Sequence, residues 1–142
     1  MDATTAIRVL QSVCFLWAGL VVGVSFLEAP VKFTAPKVTR KIGLDVGRRV
    51  FAALNRAELG VGTIGLIAFL FARPEGTVRW WLGGVAVALL MQTLWLLPAL
   101  RRQARGIIDG ERERASPFLH VGYGLLDGGK VLALCSTGWL IA

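Results

Sequence analysis

The chain has one histidine, one tyrosine and two cysteines, Cys14 and Cys135, which stand in separate apolar blocks. A lone histidine argues against two metal chemistries. A di-iron bundle asks for a Glu-x-x-His pair on each of two helices, and bis-histidine haem ligation within one chain needs two imidazoles. There is neither a CxxC pair nor a disulfide-rich pattern. A Cys14–Cys135 bridge is geometrically conceivable if the first and last blocks run antiparallel, but free cysteine more often serves as a small buried apolar residue. Also missing are a G-x-S-x-G, a Walker loop and a dinucleotide fingerprint, so hydrolase and nucleotide-driven activities have no positive support. Acids are scarce, nine against sixteen Lys and Arg, for a formal charge of +7.

What the chain has in abundance is apolar surface: 55% of its residues are hydrophobic and its mean hydropathy is +0.63. Water-soluble domains use about 45–50%. The apolar residues fall into four long blocks, near Leu10–Val31, Val50–Ala72, Trp80–Leu100 and Pro117 to the C-terminus. A block of about twenty residues, rising about 1.5 Å each, spans the hydrocarbon core of a bilayer. The pattern predicts one all-α transmembrane domain over 1–142, an antiparallel up-down four-helix bundle with helices over about 7–31, 46–72, 78–100 and 117–141. The first block exceeds the h-region of a signal peptide and no A-x-A site follows it, so it reads as a mature helix.

Punctuation supports that division. Thr34 and Pro36 can open a short surface helix, Asp45 can cap the second long one, Arg73-Pro74-Glu75-Gly76 makes a turn, and Ser116-Pro117 suits the start of the fourth. Trp80 and Trp81 sit where an interfacial anchor belongs. Gly19 with Gly23 and Gly124 with Gly128 have the spacing of close helix packing.

The basic residues flank apolar segments and form no groove, which points to topology signals and anionic-lipid contacts and away from nucleic acid. Lys32, Lys37, Arg40, Lys41, Arg48 and Arg49 cluster in the first loop, and Arg101, Arg102, Arg105, Arg112 and Arg114 in the third. The positive-inside rule then predicts both termini on the non-cytoplasmic side of a multi-pass protein, most simply in a bacterial inner (plasma) membrane.

Ionisable groups within such helices need a partner, a cavity or a role. At 100° per residue His120, Tyr123, Asp127 and Lys130 form a polar stripe on the fourth helix. Asn55, Glu58, Gly62 and Gly65 share a face of the second, and Cys14, Trp17, Ser25 and Glu28 one of the first. With Gln92 of the third, Glu28, Asn55, Glu58, Gln92, His120, Tyr123, Asp127 and Lys130 are the candidate ligand-binding or proton-handling set, lying mostly in the cytoplasmic half of the bilayer. Asp127 and Lys130 can pair within their helix, and Arg56 can snorkel or pair with an acid such as Glu28. Glu58 and His120 are expected as the central acceptor and proton-handling pair, and Glu28, Glu58 and His120 as the candidate ligands of a mononuclear metal.

Glu28-Ala29-Pro30 with Phe33, Val50-Phe51, Trp95 with Pro98, and His120, Tyr123 and Lys130 together resemble the four-helix membrane proteins typified by transmembrane protein 205. The resemblance covers most of the chain in layout and implies a four-helix fold with a polar cluster at the cytoplasmic side. Asp127 departs from the usual pattern of that family, and the likeness carries no reaction or substrate. The residues point first to a membrane-embedded binding or interaction module. The alternatives are a small subunit of a redox or cofactor-binding membrane complex, with a metal, quinone or haem partly held by another chain, and a small transporter or proton pathway. No cofactor is specified.

Overall fold

A computed structural model describes residues 1–111 and 116–142, and among these there is helix and turn but no strand. Four long helices run in order: α1 (Ala3–Thr34), α2 (Arg40–Ala72), α3 (Thr77–Ile108) and α4 (Pro117–Leu140). The first three are long and apolar enough to cross a membrane. At 24 residues α4 reaches about 36 Å, also long enough, but its buried Asp127 and Lys130 dilute its apolar character.

The helices outrun the apolar blocks because Lys, Arg and Gln propagate a helix as readily as most apolar residues do. Thr39, not Asp45, caps α2, its side chain accepting from the Ile42 amide at 3.4 Å. Asp45 instead lies inside the helix and pairs with Arg48 and Arg49. Thr34 and Pro36 open no helix; Lys32–Thr34 is a 3-10 turn ending α1. Pro98 does not end α3, which continues to Ile108 and buries Gln103, Ala104 and Ile107, so much of the expected third loop is helical. Arg112 and Arg114 lie outside the described residues. Ser116 and Pro117 do start α4, with the Ser116 amide donating to Gln103 Oε1 at 2.9 Å.

Paired positions show that neighbours run antiparallel. Gln11 reaches the Gly138 carbonyl and Ser25 reaches Asp127 across α1 and α4, while Gln92 and Gln103 meet Tyr123 and Ser116 across α3 and α4. Between α1 and α2, Trp17 stands against Gly62 and Val13 against Gly65. Here a Cβ would lie 3.0 Å from the Trp17 ring and 3.1 Å from Val13, so these two glycines permit the close approach. The pairs singled out by spacing do not: a Cβ at Gly19, Gly23 or Gly124 meets nothing within 4 Å, and at Gly128 only Phe26 at 3.9 Å.

The packed molecule is layered along its length. At the end holding both termini, Leu10, Val13, Cys14, Trp17, Val21, Val85, Leu89 and Leu134 form an apolar core. Below it lies a layer of buried polar groups, and beyond that, at the loop end, a cleft. The outside inverts the soluble pattern, since Trp80, Phe118 and Leu125 are 80%, 85% and 72% exposed while Glu58 and Asp127 are 0%. A surface this apolar around a polar interior suits lipid as the surrounding solvent. Cys14 is buried and Cys135 exposed, and both are free thiols.

Candidate functional site

The polar layer is built around Lys130. Its ammonium contacts Glu58 Oε1 on α2 and lies 3.0 Å from Asp127 Oδ1 one turn earlier on α4, with all three side chains sealed from the surface. The i, i+3 spacing puts Asp127 and Lys130 on one face, and the antiparallel packing brings Glu58 to the same depth. Neutral donors complete the shell. The Trp17 indole donates to Glu58 Oε1 at 2.9 Å, Gln92 Nε2 to Asp127 Oδ1 at 2.7 Å, and Ser25 Oγ to Asp127 Oδ2 at 2.5 Å. Two carboxylates thus share one ammonium. Glu58 Oε2, Gln92 Oε1 and the Tyr123 hydroxyl are buried without a hydrogen-bond partner among the described residues.

Two stretches of π-helix hold this arrangement, Val22–Glu28 in α1 and Gln92–Leu96 in α3. Such wide turns are rare, and they gather at functional sites because they break the regular phase of the helix. Ser25 sits within the first and Gln92 opens the second, so each presents one of Asp127's two neutral donors.

On the loop side of the layer all four helices line a cleft of about 700 Å³. Ser25 and Tyr123 border both regions, since they line the cleft and belong to the surroundings of Asp127. The walls are mostly apolar, with Phe26, Phe33, Leu44, Phe51, Leu97 and Leu100 among them, and the Tyr123 ring meets Phe51 edge-on at 5.2 Å. Lys32, Arg48, Arg101 and His120 are the cleft's charged or titratable residues besides Tyr123.

The structure therefore divides the expected site. Glu58, Gln92, Asp127 and Lys130 come together in the polar layer, with Tyr123 between them and the cleft. Asn55 is buried but turns aside to donate to Thr93 Oγ1 at 2.8 Å. Glu28 is partly exposed and pairs with Lys32 at 3.3 Å. The expected Glu58–His120 pair does not form: His120 is exposed in the first turn of α4, almost three turns from Lys130, the residue that does meet Glu58. For the same reason Glu28, Glu58 and His120 are no ligand set, and no group of three or more His, Cys, Asp or Glu side chains converges among the described residues. Arg56 is exposed and has no carboxylate within 4 Å among them. Sequence reasoning had Trp17 and Ser25 on the right face without a role, and treated Arg101 only as a loop charge. Its signal was there, four residues after Leu97, on the face that lines the cleft.

Comparisons of this chain with protein-family models, with curated proteins and with solved structures find no match.

Proposed function

We propose that the chain is an integral four-helix bundle of the inner membrane, with both termini on the non-cytoplasmic side, that binds an amphipathic small molecule at its cytoplasmic end. The observation that carries this reading is the 700 Å³ cleft, which falls in the usual size range of ligand sites, about 300–1,000 Å³, and combines apolar walls with a few polar groups. The eleven basic residues of the first and third loops support the orientation. Support for a tie to the transmembrane protein 205 family comes from Pro30, Phe33, Phe51, His120 and Tyr123, motif residues that all line the cleft. The Lys130 layer acts beneath it as a floor whose ion pair joins α2 to α4, with α1 tied in by the hydrogen bonds of Trp17 and Ser25.

Gly124 offers a direct test, because it lines the cleft and a Cβ there meets no atom within 4 Å. Gly124→Leu is expected to fold normally, helped by a gain in helix propensity of up to about 1 kcal/mol, while its side chain projects into the cleft and obstructs it. Native mass spectrometry of wild type released from its membrane in mild detergent should show a retained small amphiphile that the variant lacks. Equal occupancy in both proteins would rule the cleft out as the binding place.

The unequal charge of the buried layer favours a second reading, in which Asp127 lies on an ion or proton pathway entered from the cleft past Ser25. On that reading proteoliposomes should show a potential-driven flux that Asp127→Asn removes. A flux of the same size in the variant, or none in wild type, excludes it.

A further inference from the structure

We infer that the cleft is selective for an anionic lipid of the surrounding bilayer, with the phosphate of its headgroup held at Arg101 and an acyl chain laid along Phe26, Phe33 and Val121. This rests on the binding function proposed above and adds the class of ligand. Its first support is charge. The cleft is lined by Lys32, Arg48 and Arg101 and by no carboxylate among the described residues. Lys32 is answered by Glu28 at 3.3 Å and Arg48 by Asp45, both acids lying outside the lining. Arg101 has no carboxylate within 4 Å among the described residues and is only partly exposed, so of the three cleft-lining cations it alone is left without an acid among those residues. A guanidinium presents a planar fork of donors that matches two phosphate oxygens at once.

The second support is the way in. Phe26, Phe33 and Val121 line the cleft and yet are 48%, 47% and 57% exposed, so an apolar side of the cleft opens on the outer face of the helices. Where that face meets hydrocarbon, a chain can enter sideways without crossing water. The third is the Tyr123 hydroxyl, buried in a cleft-lining residue and without a partner among the described residues. A buried hydroxyl normally has one, and a lipid ester carbonyl is an acceptor of the right kind.

The test is native mass spectrometry of the full chain equilibrated with equal amounts of phosphatidylglycerol and phosphatidylcholine carrying identical acyl chains. Wild type should retain the anionic lipid by about tenfold or more over the zwitterionic one: both carry the phosphate that Arg101 holds, but choline brings a fixed cation beside an arginine that no carboxylate offsets among the described residues. Arg101→Gln should abolish that preference, Arg101→Lys should keep part of it, and Arg102→Gln, exposed and outside the lining, should leave it intact. An unchanged preference in Arg101→Gln overturns the inference, and so does an equal loss in Arg102→Gln, which would mean general surface attraction. Displacement of the lipid by glycerol 3-phosphate at the same concentration would assign the site to a soluble phosphate instead. If both lipids are retained equally and Gly124→Leu evicts both, selectivity fails while the binding function stands. If neither is retained, the binding function itself fails.

Discussion

Lys130→Met is expected to destabilise the folded chain by about 3–5 kcal/mol, and Glu58→Gln by far less, although both alter the same ion pair. The asymmetry arises from the count of charges. Glu58 and Asp127 are fully buried and share the single ammonium of Lys130. Removing that ammonium leaves two carboxylates side by side with only Trp17, Ser25 and Gln92 as donors. Removing the Glu58 charge instead leaves Asp127 and Lys130 as a neutral pair, and glutamine keeps an oxygen for the indole and the ammonium. Thermal unfolding in detergent micelles, followed by tryptophan fluorescence, measures both variants. Equal midpoints for the two would show that the layer does not work as two acids around one base.

Gly62→Leu should separate α1 from α2 and cost about 1–3 kcal/mol as an overpacked contact, while Gly19→Leu should be neutral or mildly stabilising. At Gly62 the first added carbon already lies 3.0 Å from the Trp17 ring and 3.7 Å from Leu89. The indole has little room to yield because its N–H is bonded to Glu58. Gly19 has nothing within 4 Å, so a leucine there extends into open space on the exposed face. The readout is the same unfolding midpoint, together with blue or red movement of tryptophan emission as the Trp17 contact loosens. A stable Gly62→Leu with unchanged emission would mean that the two helices are not held at this distance. This pair also separates a glycine that permits contact from one that merely has the spacing for it.

A similar contrast between regular and irregular helix explains how much of the site was legible in the sequence. The stripe of Tyr123, Asp127 and Lys130 on α4 and the face of Glu58, Gly62 and Gly65 on α2 were readable, because both helices are regular and 100° per residue holds along them. On α1 the rule carries as far as Ser25 and fails at Glu28. Cys14 and Trp17 are buried as their phase requires and Ser25 still reaches Asp127, but by the end of the π-helical stretch Val22–Glu28 the phase is lost and Glu28 turns outward to Lys32. On α3 Gln92 opens the π-helical stretch while still bonded to the regular turn before it, so its place follows the regular phase of the helix. His120 was assigned to the buried stripe by angle alone. Its axial place, one turn into α4, puts it at the mouth instead.

By itself, the order of apolar blocks and charged stretches determined that this chain is helical, built from membrane-length segments and reversed at Arg73–Gly76, since hydropathy and turn chemistry are local properties summed along the chain. It also determined that charges set within apolar helices must find one another. Which ones did was decided only by the tertiary structure. Pairing across helices depends on depth and rotation together, and a single wide turn or a helix prolonged past its apolar block changes both for every residue beyond it. Depth along the regular α4 makes Lys130, and not His120, meet Glu58, and the prolonged α3 brings Arg101, with no carboxylate within 4 Å among the described residues, to the wall of a cleft where the sequence shows only a charged loop.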